Sequence, residues 1–362
     1  MEFAIWILEF HSSLFISLLH KFLTVKIGSI DLGEVPLFLA PMEDVTYRTF
    51  RHICKKNGAD VVCTEFVQSD ALVQDIWKTK EKIQLYESDG PVVGIQIYGH
   101  ELESMVEAAK IAEKSQPSYI DLNYGCPMKK IVKKGAGSGM LRDLDKMQKI
   151  TEEIVKTVSL PVTAKTRLGW DEDSKVVSEV AERLQDVGLS ALAVHGRTRK
   201  MLYTGEADWY EIGKVKNSPR VKIPIIGNGD INGPERAAEF LKISGVDGLM
   251  LGRGAIGRPW IFNEIKHYLK TGELLPPPTV AEIIEKALDH LQMILDWRED
   301  ERTTILMMRR HFAKYFAPLP DFRPFRIKLL QATEMEVVHQ TLQKINEHYG
   351  DMRVDYTNAS LK

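Results

Sequence analysis

From residue 25 onward, two hydrophobic rhythms alternate along the chain. Short apolar or β-branched runs fall at 37–40, 60–64, 92–98, 119–123, 162–167, 191–195, 223–227 and 248–252. Longer stretches with apolar residues three and four apart separate most of them, at 102–113, 144–158 and 174–187 among others. In the last of these, Val176, Val177, Val180, Ala181, Leu184 and Val187 share one helical face. Runs that are apolar throughout suit strands covered on both faces, and strand–helix alternation builds a parallel sheet flanked by helices. Eight such units in about 240 residues predict an α/β fold, a closed (β/α)8 TIM barrel rather than an open doubly wound sheet.

The rhythm then changes. Residues 268–273 lead into Pro276, Pro277 and Pro278, which end any helix. Beyond them the apolar series have helical spacing: Ile284, Leu288, Leu291 and Leu295, then Ile305, Met308, Phe312 and Phe316, then Ile327, Leu330, Met335, Val338, Leu342 and Ile345. This predicts a barrel over 25–270, a linker over 271–279 and a small α-helical bundle domain of three or four helices over 280–362. Residues 1–24 stand apart, an apolar run interrupted by Glu2, Glu9, His11 and His20 with no cationic leader or small-residue cleavage site. Three readings stay open for it: a non-native extension from an upstream start codon, a peripheral amphipathic helix, or a membrane anchor.

Composition narrows the function classes. The chain has 48 Lys and Arg against 50 Asp and Glu, so no global basicity announces a polyanion partner and any such contact must use local patches. Cys54, Cys63 and Cys126 are an odd number without framework spacing, which predicts a reducing cytoplasmic setting and no disulfide or CxxC metal site. Cys54 and Cys63 lie in helix and strand patterns and are expected in the core.

In a TIM barrel the chemistry sits at the C-terminal ends of the strands. Those ends offer Pro41 and Met42, Glu65, Gln96, Asn123 and Cys126, Lys165 and Arg167, His195 and Arg197, Asn228, Gly229 and Asp230, and Gly252 with Arg253. The Gly-rich turns at 227–230 and 252–257 predict a phosphate held by backbone N–H groups, with Arg253 adding a charge-assisted contact. The second turn also spells GxGxxG, yet it sits on the last βα unit and the following acid, Glu273, lies in the linker, which argues against a dinucleotide site. With Gln96, Lys165, His195 and Asn228 as donors and acceptors, a flavin mononucleotide and a sugar phosphate fit the pattern equally. The stretch 121–143, DLNYGCPMKKIVKKGAGSGMLRD, leaves the fourth strand for a long segment without helix or strand periodicity, rich in Gly and Lys. Loops of that length in a compact domain are commonly functional.

Six segments carry a resemblance: PMEDVTYRTFR (41–51), DLNYGCPMKK (121–130), TAKTRLGW (163–170), HGRTR (195–199), GNGDI (227–231) and LGRGAIGRPWIF (251–262). In order and spacing the chain is similar to the tRNA-dihydrouridine synthases, with the layout of their bacterial B-type branch, over about residues 25–350. The resemblance implies an FMN-binding barrel, a C-terminal helical domain that holds tRNA, and reduction of the C5–C6 bond of uridine, usually in the D-loop, with NADPH as reductant. It implies FMN contacts from Pro41, Met42, Glu43, Gln96, Lys165, His195, Asn228, Gly229, Asp230, Gly252 and Arg253, a proton donor in Cys126, and uracil contacts from Asn123 and Arg197. The first motif departs from the family, which reads Gly-x-Thr-Asp after Pro-Met-x where this chain has Asp44, Val45, Thr46 and Tyr47.

The chemistry agrees. Uracil C6 is conjugated to the C4 carbonyl, so hydride adds there and leaves an enolate that takes a proton at C5. A thiol with a pKa near ~8.5 is protonated at neutral pH and can release its proton, whereas an unperturbed carboxylate is already ionised. A uridine in folded RNA must be extruded into the mouth, so cations should flank it. Lys129, Lys130, Lys133 and Lys134 follow Cys126, and Arg197, Arg199 and Lys200 lie on the loop after the sixth strand. Residues 302–328 hold Arg302, Arg309, Arg310, Lys314, Arg323, Arg326 and Lys328 against Asp321 alone, beside Phe312, Tyr315 and Phe316, which predicts an RNA surface. Two other readings compete: an FMN enzyme acting on a free pyrimidine, akin to dihydroorotate dehydrogenases, and a non-catalytic tRNA-binding protein. The basic helical region counts against the first, and Cys126, Lys165 and His195 together against the second.

Overall fold

A computed structural model describes residues 24–356; the apolar run at 1–23 and the last six residues lie outside it. A small antiparallel hairpin, β1 (Lys26–Ile27) and β2 (Ile30–Asp31), comes first and was not expected from the sequence. Ile27 packs with Phe38, Tyr119, Ala191 and Ile226 in the barrel interior. The strands then follow as β3 (Leu37–Leu39), β4 (Val62–Cys63), β5 (Val67–Gln68), β6 (Val93–Tyr98), β7 (Tyr119–Asn123), β8 (Val162–Arg167), β9 (Ala191–His195), β10 (Ile225–Asn228) and β11 (Gly248–Leu251).

Eight of these strands form the parallel order β3-β11-β10-β9-β8-β7-β6-β4, and β5 extends β4 along the edge of β6. The ring closes through a single bridge between Phe38 and Val61, with the Leu39 N–H donating to Val61 O at 2.9 Å. The fold is therefore the (β/α)8 barrel expected, and β7, β8 and β9 coincide with their apolar runs.

The helices cover the sheet by the faces the periodicity named. In Leu144–Thr157, buried Met147, Ile150, Thr151 and Ile154 repeat three and four apart, and Asp143 starts the helix by accepting from the Lys146 N–H at 3.0 Å. Among the described residues four helices follow the prolines: Val280–Arg298, Glu301–Tyr315, Arg323–Gln331 and Met335–Tyr349. The first begins with a reciprocal capping box between Thr279 and Glu282. One apolar cluster runs from the barrel shell through Phe50 and Cys54 into Ala287, Leu291, Phe312 and Tyr315 of these helices.

Two expectations change. Phe312, Tyr315 and Phe316 are fully buried, so they are core and offer no stacking face to RNA. The segment after β7 is not irregular throughout: it holds a helix at Lys129–Lys133 and a 3-10 turn at Gly137–Arg142, both too short to show a period. No helix among the described residues is long and apolar enough to cross a membrane.

Candidate active site

The C-terminal ends of the strands surround a cavity of about 300 Å³. Every residue named above for the cofactor lines it, from Pro41, Met42 and Glu43 through Gln96, Lys165, His195, Asn228, Gly229 and Asp230 to Gly252 and Arg253. Asn123 and Cys126 line it too.

The β10 and β11 turns are shaped by backbone constraint. Gly229 has φ of 129°, and a Cβ there would lie 2.6 Å from Ala207 Cβ. A Cβ on Gly254 would meet Ile231 O at 2.3 Å, so the two Gly-rich turns interlock only without side chains. Asn228 Nδ2 donates to Met250 O at 2.7 Å, tying β10 to β11. Asp230, itself at φ of 54°, accepts from Arg197 Nη2 at 2.7 Å, from the Ala207 N–H at 2.8 Å and from Arg253 Nη2 at 3.3 Å. A carboxylate in this place aims two arginines.

Arg197 is placed differently from the expectation. Its side chain is buried behind the cavity wall, donating to Thr204 O, Gly205 O and Asp230. Its Nη1 also reaches His195 Nε2 at 3.2 Å. A guanidinium only donates, so Nε2 accepts and the imidazole proton is on Nδ1. Burial holds His195 well below the usual histidine range, reinforced by Arg167, Lys165, Arg197 and Arg253.

The Lys165 ammonium makes no hydrogen bond among the described residues. Burial lowers its pKa to about 8, and Arg167 adds repulsion while Asp121 opposes it. Arg167, at the end of β8, has no role assigned by the sequence pattern beyond closing a strand. It is buried and donates to Gly125 O at 2.8 Å, Thr198 O at 3.0 Å and Leu202 O at 2.9 Å, so it joins the loop of Cys126 to the loop after β9. Tyr203 is not singled out by the sequence at all: it is half-exposed, lines the cavity and lies under the guanidinium groups of Arg253 at 4.8 Å and Arg167 at 5.6 Å. Nothing in its local sequence, MLYTG, marks it.

Cys126 is pinned from both sides. Its N–H donates to Asn123 Oδ1 at 2.9 Å, and its carbonyl accepts from the Ser138 N–H at 3.1 Å and from Ser138 Oγ at 2.9 Å. Gly137, at φ of 57°, allows that return, because a Cβ there would lie 2.8 Å from Cys126 O. Burial pushes the Cys126 thiol up, with Arg167 and Lys165 pulling partly back. Cys54 and Cys63 are buried in the core as expected.

Of the RNA candidates, Lys129 and Lys130 are exposed next to Met128 on the cavity rim. Arg199 lies over the Trp170 ring at 4.8 Å, which also carries Arg142 at 4.1 Å. Arg309 donates to Ala332 O at 2.9 Å within the helical region. Arg310 donates to Glu43 O at 3.1 Å and pairs with Asp44 at 2.9 Å. Asp44, where the family carries Gly, sits at φ of 55°, a region glycine enters freely and Asp tolerates. Tyr47, the second departure, is buried with its hydroxyl 3.0 Å from His290 Nε2, and His290 Nδ1 lies 3.1 Å from the Tyr315 hydroxyl. Both departures thus face the C-terminal helices.

The cavity suits a flavin. It joins turns at Gly229 and Gly254 that pack too closely for a Cβ, a Lys165 ammonium with no hydrogen bond to the described residues, and amide groups of Gln96 and Asn228 able to read ring edges.

Comparison with known proteins agrees with this geometry. The family model described as dihydrouridine synthase (Dus) matches residues 38–349. The chain is 42% identical over 306 residues to tRNA-dihydrouridine synthase B of Pseudomonas putida, covering 84% of this chain and 89% of that protein. It is 40% identical over 302 residues to a probable tRNA-dihydrouridine synthase of Rickettsia bellii, covering 83% and 91%. Among solved structures, a 2-naphthoyl-CoA reductase superposes with a TM-score of 0.54 at 12% identity, covering 67% of this chain and 51% of that one. Histamine dehydrogenase from Rhizobium sp. 4-9 gives 0.51 at 14% identity, covering 68% and 48%; the chain spans about half of each, and the likeness is one of fold. With its model matched across barrel and helices alike, the chain belongs to the dihydrouridine synthase family and is a flavin-dependent oxidoreductase.

Proposed function

We propose that this protein reduces the C5–C6 bond of uridines in tRNA, with FMN held in the barrel mouth and NADPH as the source of electrons, in the cytoplasm. The observation that carries the reading is Cys126, a thiol kept protonated by burial and fixed on the wall of the same cavity as Lys165, His195 and the glycine turns. Three free cysteines fit a reducing compartment.

Gly229, Gly252 and Arg253 would hold the FMN phosphate, with Gln96, Lys165 and Asn228 on the ring edges and Pro41, Met42 and Glu43 along one side. When bound, the flavin supplies the hydride that uracil takes at C6. Cys126 Sγ–H gives the proton to C5 and leaves a thiolate, which Arg167 and Lys165 stabilise. Asn123 and Tyr203 border the space the uracil enters, and Arg167 holds the two loops around it together. His195, neutral with its proton on Nδ1, is a donor to the ring without adding a charge.

Lys129 and Lys130 beside the rim, Arg199 over Trp170, and the exposed cations of 302–328 supply phosphate contacts. The helical region at 280–362 is the tRNA-holding domain in this reading, with 25–270 the catalytic barrel. Cys126→Ala should keep the yellow cofactor and bind tRNA with unchanged affinity while slowing dihydrouridine formation by about 10²–10⁴-fold. Full activity in that variant would remove Cys126 from the proton transfer.

A further inference from the structure

Asp121 sits inside the barrel on β7, below the cavity, and is buried at 6% exposure. Its two oxygens accept from Thr163 Oγ1 and Gln96 Nε2, each at 2.5 Å. Gln96 Oε1 in turn accepts from Asn123 Nδ2 at 2.9 Å. Asn123 Oδ1 accepts from the N–H groups of Cys126 at 2.9 Å and Gly125 at 3.1 Å. Three neighbouring strands, β6, β7 and β8, contribute to this line.

The two ends of the line fix its direction. A carboxylate accepts and a backbone N–H donates, so each amide between them has one orientation that leaves no clash. Turning Gln96 over would set its Nε2 against Asn123 Nδ2. Turning Asn123 over would set its Nδ2 against two N–H donors, leaving buried groups unsatisfied. We propose that Asp121 is a positioning residue for the reaction: by accepting from Gln96 it sets which amide group Gln96 presents to the ring and, through Asn123, holds the backbone of Cys126 in place for proton transfer. This extends the reading of Cys126 given above and rests on it for the catalytic consequence.

The test uses the flavin-loaded full chain with Asp121→Leu and Asp121→Asn. Leucine has similar volume and cannot accept. Asparagine can turn Oδ1 to Gln96 and Nδ2 to Thr163 Oγ1, whose hydroxyl rotates to accept. Asp121→Leu should keep tRNA affinity and, held at saturating FMN to offset any weakened Gln96 contact, slow single-turnover dihydrouridine formation by roughly a hundredfold, the scale on which a slightly misplaced catalytic group acts. Asp121→Asn should restore the rate to within about threefold, because the acceptor facing Gln96 returns. With Cys54 and Cys63 buried, iodoacetamide reports Cys126 selectively, and its rate should rise at least about tenfold in Asp121→Leu and return to native in Asp121→Asn.

An Asp121→Leu rate within threefold of native at saturating FMN overturns the proposal. If Asp121→Leu does not fold, Asp121→Ala stands in as the variant without an acceptor: a slow Asp121→Ala beside a native Asp121→Asn supports the acceptor role, native rates in both overturn it, and a loss above about tenfold in Asp121→Asn overturns it in favour of charge. Should Cys126→Ala prove fully active, the alkylation result still tests the line of hydrogen bonds, so the two failures separate.

Discussion

Cys126 is pushed up in pKa by its surroundings, and the sign matters for its use. Desolvation dominates, and Arg167 and Lys165 recover only part of the shift. A raised pKa keeps the thiol protonated to higher pH, so alkylation of the flavin-loaded enzyme should show a midpoint above the ~8.5 of a free thiol. Dihydrouridine formation should hold up to the same pH and then fall. A midpoint below about 7 in iodoacetamide kinetics would leave Cys126 ionised at neutral pH and remove it as the acid. At this scale the sequence was informative wherever a functional group sits at a strand end, because a polar residue closing an apolar run stands out. It named Arg197 and Asp230 but was silent on their pairing across 33 residues, and it missed Tyr203, which reaches the cavity from an unpatterned loop.

At the scale of elements, the loop after β7 folds back on its own start through Ser138 and the left-handed Gly137, so the Cys126 backbone is placed before any RNA arrives. The eight strands were legible because each lies in a buried apolar run; β5 and the β1–β2 hairpin, two residues per strand, fall outside those runs. The basic stretch 302–328 divides once folded. Arg309 and Arg310 hold neighbouring backbone, whereas Arg323, Arg326 and Lys328 are exposed on Arg323–Gln331. Arg323→Glu with Arg326→Glu should therefore weaken tRNA binding and lower its salt dependence by about one unit for each phosphate left without its cation, with the flavin spectrum unchanged. Unaltered binding across a salt titration would move the RNA surface off this helix.

Across the whole molecule, the barrel and the C-terminal helices share one core rather than touching as separate bodies. Tyr47, His290 and Tyr315 form a buried line across that junction, with Trp297 stacked 6.1 Å from Tyr47. Tyr47→Phe leaves His290 Nε2 without its partner and should cost about 1–3 kcal/mol in a urea unfolding titration, with a single transition for both parts. Two separate transitions would show the junction to be energetically weak. None of this was legible in the sequence: the linker prolines announced a change of architecture, and the two motif departures, Asp44 and Tyr47, gave no sign that they meet residues 266 and 243 positions away.

The single bridge between Phe38 and Val61 is the thinnest join in the ring, and the helix Arg48–Lys56 that spans it carries Phe50 against His290 and His311. The C-terminal helices thus act as a strap over the place where the barrel opens most easily. In the language of amide exchange, β3 and β4 would breathe first without that strap, and the Pro41–Glu43 wall of the cavity, which leaves directly from β3, would loosen with them.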